Sequence, residues 1–147
     1  MSSTDGARAP VLSAEEVSAF LAEVFPQVSP KMTVEAVATR YARIRLPIAD
    51  EHLRPGGTVS GPTLFAAADL AFYVAVLGMI GREALTVTTH LGINFMRKPE
   101  PRDVIAEARI LKLGRSLAVG DAAVFSDGIA EPVAHASVTY AIPPKRV

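Results

Sequence analysis

Residues 57–81 read GTVSGPTLFAAADLAFYVAVLGMIG, and this stretch predicts the long helix on which the rest of the fold depends. A Gly-Pro pair at 61–62 opens the helix, because proline is well tolerated in the first turn, where its missing amide hydrogen would have no partner. Gly81 ends the helix. The run at 64–80 is apolar on nearly every side, so most of the helix surface should be buried. This run is shorter than the roughly 20 residues of a membrane span, and Asp69 interrupts it, which favours a core helix.

A second, amphipathic helix is predicted upstream, over residues 13–25. Ser13 and Glu16 have the spacing of a capping box, in which each side chain accepts a hydrogen bond from an amide at the helix start. Apolar residues then recur at helical spacing until Pro26 stops the helix. Residues 1–10 are predicted to form a flexible tail, and residues 11–147 a single domain.

Five stretches of the chain alternate between apolar and polar residues with the period of a β-strand. The first, 34–46, precedes the long helix, and a turn-rich loop at 50–57 lies between them. The other four follow the helix: 85–95, 104–113, 117–126 and 133–142. The short links between the last four imply antiparallel neighbours. The predicted fold class is α+β, with an antiparallel sheet curled around the long central helix and an extra N-terminal helix. An uncovered sheet face or edge would be left for a second subunit.

Composition excludes several classes of function. The 15 basic and 15 acidic residues balance, so neither nucleic acid nor a membrane surface is an expected partner. The chain has no cysteine, which removes disulfides, a thiolate nucleophile and a cysteine zinc site. The three histidines lack metal-ligand spacing, so no metal site is predicted. The first residues show no signal-peptide pattern, and a cytoplasmic protein is expected.

Asp69 is the first candidate for chemistry, since a lone carboxylate in a buried helix is costly unless it is paired or useful. The residues alone leave two interpretations open. Asp69 either acts in catalysis or is structural, with a hydrogen bond to neighbouring backbone or to a partner subunit.

The order of elements, together with the residues at its centre, resembles the hotdog fold, and in particular the phenylacetate-pathway type of acyl-CoA thioesterase. The resemblance covers roughly residues 33–142 and is densest at 57–71. The family shows a His-Gly-Gly turn followed by an apolar helix, with an aspartate nine residues after the histidine. Ser60-Gly61-Pro62 occupies that turn here, and Asp69 falls at that spacing. Three further stretches are similar to the family's second strand and its exit, its next turn and its last strand: 93–99, 113–115 and 134–140.

The resemblance implies roles for these residues. Asp69 would activate a water or attack the thioester carbonyl itself. The free amide of Gly61, at the positive end of the helix dipole, would stabilise the oxyanion. Thr88 or Thr89 would face the aspartate, and Thr88 is preferred because it lies on the polar face of its strand, which it shares with His90 and Asn94. The family places its sites between subunits, which implies a homodimer or homotetramer. No cofactor is expected.

The sequence departs from the family pattern at two positions. Ser60 stands where the family commonly has His, and Arg54 stands where many members have Asn. Ser60 either donates a hydrogen bond to the thioester or caps the helix, and Arg54 is a candidate contact for a phosphate or carboxylate. Asn94 is a further candidate for substrate binding. Four cationic residues near strand ends are candidates for the phosphates of coenzyme A, and Arg115 is preferred among them: Arg97, Lys98, Lys112 and Arg115.

Three functions follow from the resemblance. The first is an acyl-CoA thioesterase. The second is a non-catalytic protein of the same fold that binds acyl-CoA or fatty acyl groups, which the loss of the usual His supports. The third is a hydratase, which ranks last because neither His52 nor His90 lies in the expected motif.

Overall fold

The structure is a computed structural model that describes residues 8–144. Its two α-helices are α1 (Ala14–Val24) and α2 (Gly61–Ile80). The strands are β1 (Thr33–Ala38), β2 (Tyr41–Leu46), β3 (Leu53–Arg54), β4 (Thr58–Val59), β5 (Val87–Phe95), β6 (Val104–Leu113), β7 (Leu117–Ser126) and β8 (Ala134–Ala141). Short 3-10 turns cover Ser29–Lys31 and Asp50–His52. The predicted α+β class is confirmed.

Six strands form one antiparallel sheet in the order β1-β2-β6-β7-β8-β5, while β3 and β4 form a separate small hairpin. The short links between β6 and β7 and between β7 and β8 join neighbours, as predicted. The link between β5 and β6 does not join neighbouring strands, so the prediction is wrong for this pair. β5 pairs with β8 instead, which places β5 at an open edge of the sheet.

The stretch predicted as one strand over residues 34–46 is a hairpin, so that prediction is also wrong. Ala38 pairs with Tyr41, and the two-residue turn between them holds Arg40 at a φ of 54°. Tight hairpins need such positive φ values and are usually marked by Asn-Gly or Asp-Gly. Thr39-Arg40 carries no such signal, which is why the alternation reads as continuous.

Helix α2 forms the centre of the core, as predicted, and packs against every strand of the six-stranded sheet. Most of its residues are buried, and Phe72 and Leu77 are fully so. Gly120 in β7 lets the Phe72 ring approach, because a Cβ at that position would lie 2.8 Å from it. By length and composition α2 could cross a membrane, but 67% of its apolar window is buried inside this fold.

Helix α1 begins with the predicted capping box. The Ser13 amide donates to Glu16 Oε1 at 2.9 Å, and the Glu16 amide donates to Ser13 Oγ at 3.1 Å. Residues 1–7 of the predicted tail lie outside the described residues. The amides of Val11 and Leu12 donate to the carbonyl of Gly78, at 2.7 and 3.2 Å, so the chain leading to α1 is anchored on the end of α2.

Candidate active site

The carboxylate of Asp69 is held by two hydroxyl groups. Thr88 Oγ1 donates to Asp69 Oδ1 at 2.6 Å, and the Tyr140 hydroxyl lies 2.7 Å from the same oxygen and 3.0 Å from the main-chain carbonyl of Asp69. Asp69 itself is half-buried. No described residue donates to Oδ2, so one oxygen of the carboxylate is oriented and the other is available to a ligand.

A β-bulge in β5 determines which side chains reach Asp69. Thr88 pairs with Tyr140, the register then shifts at Thr89, and His90 pairs with Thr139. The structure therefore places Thr88, the threonine preferred from the sequence, on Asp69. The extra residue reverses the alternation beyond it. The prediction that His90 and Asn94 share the face of Thr88 is wrong for this reason.

Asn94 pairs with His135 on the outer face of the sheet, away from Asp69. Among residues 8–144, no contact of Asn94 supports its predicted role in substrate binding.

Tyr140 is the site residue that sequence reasoning missed. It lies on the apolar face of β8 and was assigned to the core, which is where its ring packs, 5.5 Å from Phe72 and 6.0 Å from Tyr73. Burial first, and then the neighbouring Asp69 carboxylate, raise the pKa of the Tyr140 phenol well above its usual range. The phenol therefore keeps its proton and remains a donor. The one available signal was a hydroxyl-bearing aromatic on an otherwise apolar face, since a buried Tyr usually has a hydrogen-bond partner.

A cavity of about 580 Å³ opens beside Asp69. Its walls come from the end of α1 and the segment after it, one side of α2, the start of β5 and Tyr140: Val24, Phe25, Gln27, Asp69, Leu70, Tyr73, Ala84, Thr86, Val87, Thr88 and Tyr140. Phe25 packs edge-on against Tyr73, with ring centroids 6.4 Å apart. The Tyr73 hydroxyl donates to the carbonyl of Ala84 at 2.9 Å, which ties the α2–β5 connection to the helix. Asp69 is the only acidic or basic residue in this lining.

The start of α2 carries the other predicted catalytic residues. Ser60 is the N-cap, and its Oγ lies 3.4 Å from the amide nitrogen of Thr63 and 2.8 Å from the Thr63 hydroxyl. Gly61 is the first helical residue, so its amide has no partner within the helix. The ring of Phe95 lies against Gly61, 3.3 Å from where a Cβ would be. Arg54 is exposed on the small β3–β4 hairpin.

Gly61 and Asp69 are separated by eight residues of one helix, or about 12 Å along its axis. One protomer therefore does not bring the Gly61 amide and the Asp69 carboxylate onto the same atom.

Arg115 is exposed in the β6–β7 turn. Across the end of the sheet Leu117 pairs with Ala141, which pairs with Val87 at the start of β5. Arg115 is thus at the same end of the sheet as Thr88. Arg97, Lys98 and Lys112 are exposed, and Arg97 donates to the carbonyl of Pro132. Within residues 8–144, no three His, Asp or Glu side chains lie close enough together to hold a metal ion.

Comparison with known proteins identifies the class. Residues 56–133 match the model of the thioesterase superfamily, and the chain belongs to that family. Its fold is the hotdog fold, as the resemblance implied.

Three relatives illustrate the similarity. A candidate thioesterase of Silicibacter sp. TM1040 is 51% identical, with a TM-score of 0.85 over 92% of this chain and 94% of that one. The phenylacetic acid degradation protein PaaI of Thermus thermophilus, solved as a mutant, is 25% identical, with a TM-score of 0.68 over 80% of this chain and 99% of that one. A candidate esterase of Saccharolobus solfataricus is 28% identical over 90% of this chain and 87% of its own length. These findings support thioester hydrolysis as the class of reaction.

Proposed function

We propose that the protein hydrolyses acyl-CoA thioesters to the free acid and coenzyme A. The observation that carries the proposal is the Asp69 carboxylate, with Oδ1 held by Thr88 and Tyr140 and Oδ2 available at a cavity. As general base, Oδ2 takes a proton from the water that attacks the thioester carbonyl. As nucleophile, it attacks that carbonyl itself, and water then hydrolyses the resulting anhydride. In both cases the thiolate of coenzyme A leaves.

The complete site needs two subunits. The oxyanion formed on the thioester carbonyl requires a donor near 3 Å, and the Gly61 amide of the same protomer is about 12 Å from Asp69 along α2. The Gly61 of a second copy supplies the donor in our proposal. The open edge of β5 supports such a copy, since an unpaired edge strand is a template for pairing. Three exposed apolar residues along β5 and just after it would be covered by a second copy at this edge: Val87, Phe95 and Met96. We propose a homodimer, or a tetramer built from two of them.

The acyl group occupies the cavity beside Asp69. Aromatic and aliphatic side chains form most of its walls, beside the polar Gln27, Thr86 and Thr88. A second negative charge there would lie close to the carboxylate. The acyl group is therefore uncharged in this proposal. Ser60 acts as the helix cap. The exposed Arg54 contacts an anionic part of the substrate.

The test is a screen of acyl-CoAs by detection of the released thiol. We expect turnover of short, medium or aromatic acyl-CoAs, and much slower turnover of acyl groups that carry a second carboxylate, such as a succinyl group. Measurable binding with no hydrolysis of any acyl-CoA would favour the alternative, a non-catalytic acyl-CoA or fatty-acyl binding protein. That alternative is kept because Ser60 replaces the usual His.

Replacing Tyr140 with Phe should reduce kcat by about tenfold, because a hydrogen bond to a charged carboxylate is lost while the ring keeps its packing. Tyr41→Phe is the matched control, since its hydroxyl donates to Glu107 on the outer face of the sheet. An unchanged kcat in Tyr140→Phe would mean that Tyr140 only packs.

A further inference from the structure

The hydrolytic site proposed above, which two subunits share, determines how two copies of β5 pair. Near one end of β5, Thr88 donates to Asp69. At the other end, the ring of Phe95 lies against Gly61. In the proposed site, Gly61 of one copy serves Asp69 of the other. The start of β5 in one copy is therefore opposite the end of β5 in its partner, as in an antiparallel pair of strands related by a two-fold axis.

The bulge in β5 places this two-fold axis at Gly92. Directly opposite residues of an antiparallel pair lie on the same face of the sheet. Thr88 and Phe95 both contact α2, so both lie on the inner face and are opposite each other across the axis. Because Thr89 is the extra residue of the bulge, Thr88 takes the place of position 89 in the alternation. Position 92 is midway between 89 and 95, so Gly92 lies opposite the partner's Gly92.

On the outer face of the sheet, the ring of His90 leans toward this axis. Its Nε2 and Cε1 atoms lie 3.4 and 3.7 Å from the position that a Cβ of Gly92 would occupy, and Ser137 Oγ lies 3.7 Å from the same position. The distal end of the imidazole thus lies over a residue that has no side chain. Opposite residues of an antiparallel pair have Cα atoms about 4.5–5.5 Å apart. The two imidazoles of a dimer therefore converge above the two glycines from opposite sides of the axis.

His90 differs from the other two histidines in having no partner among residues 8–144. His52 Nδ1 accepts a hydrogen bond from the Ala49 amide at 2.9 Å, and His135 Nε2 lies 3.0 Å from Asp121 Oδ2. His90 is exposed, and no hydrogen bond or ion pair with the described residues holds its ring. Its ring nitrogens are therefore available to a ligand. A neutral imidazole nitrogen is a preferred ligand of zinc and of other divalent transition metals.

We infer that the two His90 side chains of a dimer bind one divalent transition metal, such as Zn²⁺, on the two-fold axis. The same register places Asn94 opposite the partner's His90, so the two Asn94 amide oxygens or water complete the four ligands that zinc favours. The metal joins the subunits that together form the hydrolytic site. It takes no part in hydrolysis, because it lies on the opposite face of the sheet from Asp69.

The inference rests on the proposed function, because the shared site determines the register of the two strands. The histidines lack metal-ligand spacing within one chain, whereas this site takes one histidine from each of two chains. For that reason the spacing of residues in a single sequence gives no sign of it.

Calorimetric titration of Zn²⁺ into the wild-type protein tests the metal site. We expect one Zn²⁺ per two chains, a higher melting temperature with Zn²⁺ than with a chelator, and loss of both effects in His90→Ala. His135→Ala is the matched control, since His135 is an exposed histidine of the same face whose ring is already bonded to Asp121. This control should bind Zn²⁺ as the wild type does. Absence of binding, one Zn²⁺ per chain, or binding that survives in His90→Ala would overturn the inference.

Disulfide cross-linking tests the register without any metal. The chain has no cysteine, so only the introduced thiols are oxidised. Gly92→Cys should give a disulfide-linked dimer, because the Cα separation of opposite residues lies within the range that a disulfide spans. Ser137→Cys, one strand further from the axis, should stay unlinked. A folded Gly92→Cys dimer that forms no cross-link would contradict the register and the metal site with it.

A second variant covers the case in which Gly92→Cys does not fold. His90→Cys/Asn94→Cys should also cross-link, because each cysteine lies opposite the other cysteine of the partner, and a folded dimer without that cross-link would overturn the inference. Zn²⁺ binding and cross-linking in a protein that hydrolyses nothing would support the metal site while the proposed function fails. Hydrolysis by a protein that neither binds Zn²⁺ nor cross-links would overturn the metal site alone.

Discussion

Asp69→Asn is expected to reduce kcat by roughly 10²-fold or more, because the side chain loses its charge and its basicity while keeping its shape. The result is the same for a general base and for a nucleophile, since both need the charged oxygen. The amide oxygen of Asn still accepts hydrogen bonds from Thr88 and Tyr140, so the melting temperature should change little. Turnover of a saturating acyl-CoA and thermal unfolding of the same preparation are the two measurements.

Asp121→Asn is the control for this substitution. Asp121 is also half-buried and hydrogen-bonded, to His135 at 3.0 Å, but it lies on the outer face of the sheet. Its replacement should leave kcat near the wild-type value. If Asp69→Asn lowers the melting temperature or dissociates the oligomer while activity per folded molecule persists, Asp69 is structural and the proposed mechanism is wrong.

Gly61→Pro is expected to reduce kcat by about 10²–10³-fold, the usual cost of removing one oxyanion donor. The substitution removes the amide hydrogen in question and adds the proline ring, whose Cβ would lie 3.3 Å from the ring of Phe95. Proline suits the first helical position, and Ser60, with a ψ of 152°, already has the conformation preferred before proline. The protein should therefore fold, and circular dichroism and thermal unfolding verify that it does.

Gly61→Ala separates the amide from the space around it. Alanine keeps the amide hydrogen and adds a Cβ 3.3 Å from the ring of Phe95, a contact that a shift of a few tenths of an ångström relieves. We expect a small loss of activity from Gly61→Ala and a large one from Gly61→Pro. Equal losses would mean that crowding, rather than the missing donor, is responsible.

Mixing the two inactive variants tests whether the site spans two subunits. In a mixed dimer, the Gly61 of the Asp69→Asn subunit meets the Asp69 of the Gly61→Pro subunit, and one of the two sites is intact. Random exchange after mild unfolding and refolding should recover about a quarter of the wild-type activity, because half of the dimers are mixed and each has one working site. No recovery, or a stable monomer by light scattering, would contradict a site shared between subunits.

Local signals were sufficient for most elements of the fold. The Gly-Pro start and glycine end of α2 were predicted correctly, as were the capping box of α1 and the limits of β6 and β7. These features depend on contacts between residues close in sequence, such as a cap and the amides one turn away. Asp69 could be identified in the same way, as the one charged residue in an apolar helix.

The surroundings of Asp69 were decided by the tertiary structure. Tyr140 is 71 residues from Asp69 in sequence, and its place in an apolar alternation says nothing about where its hydroxyl points. The bulge at Thr89 depends on the register between β5 and β8, and it moved Asn94 to the outer face. Arg8 and Arg115 line the same cavity because the N-terminal segment is bound to the end of α2. Periodicity reports which side of an element is apolar, whereas strand order, register and distant partners are set by how the elements pack together.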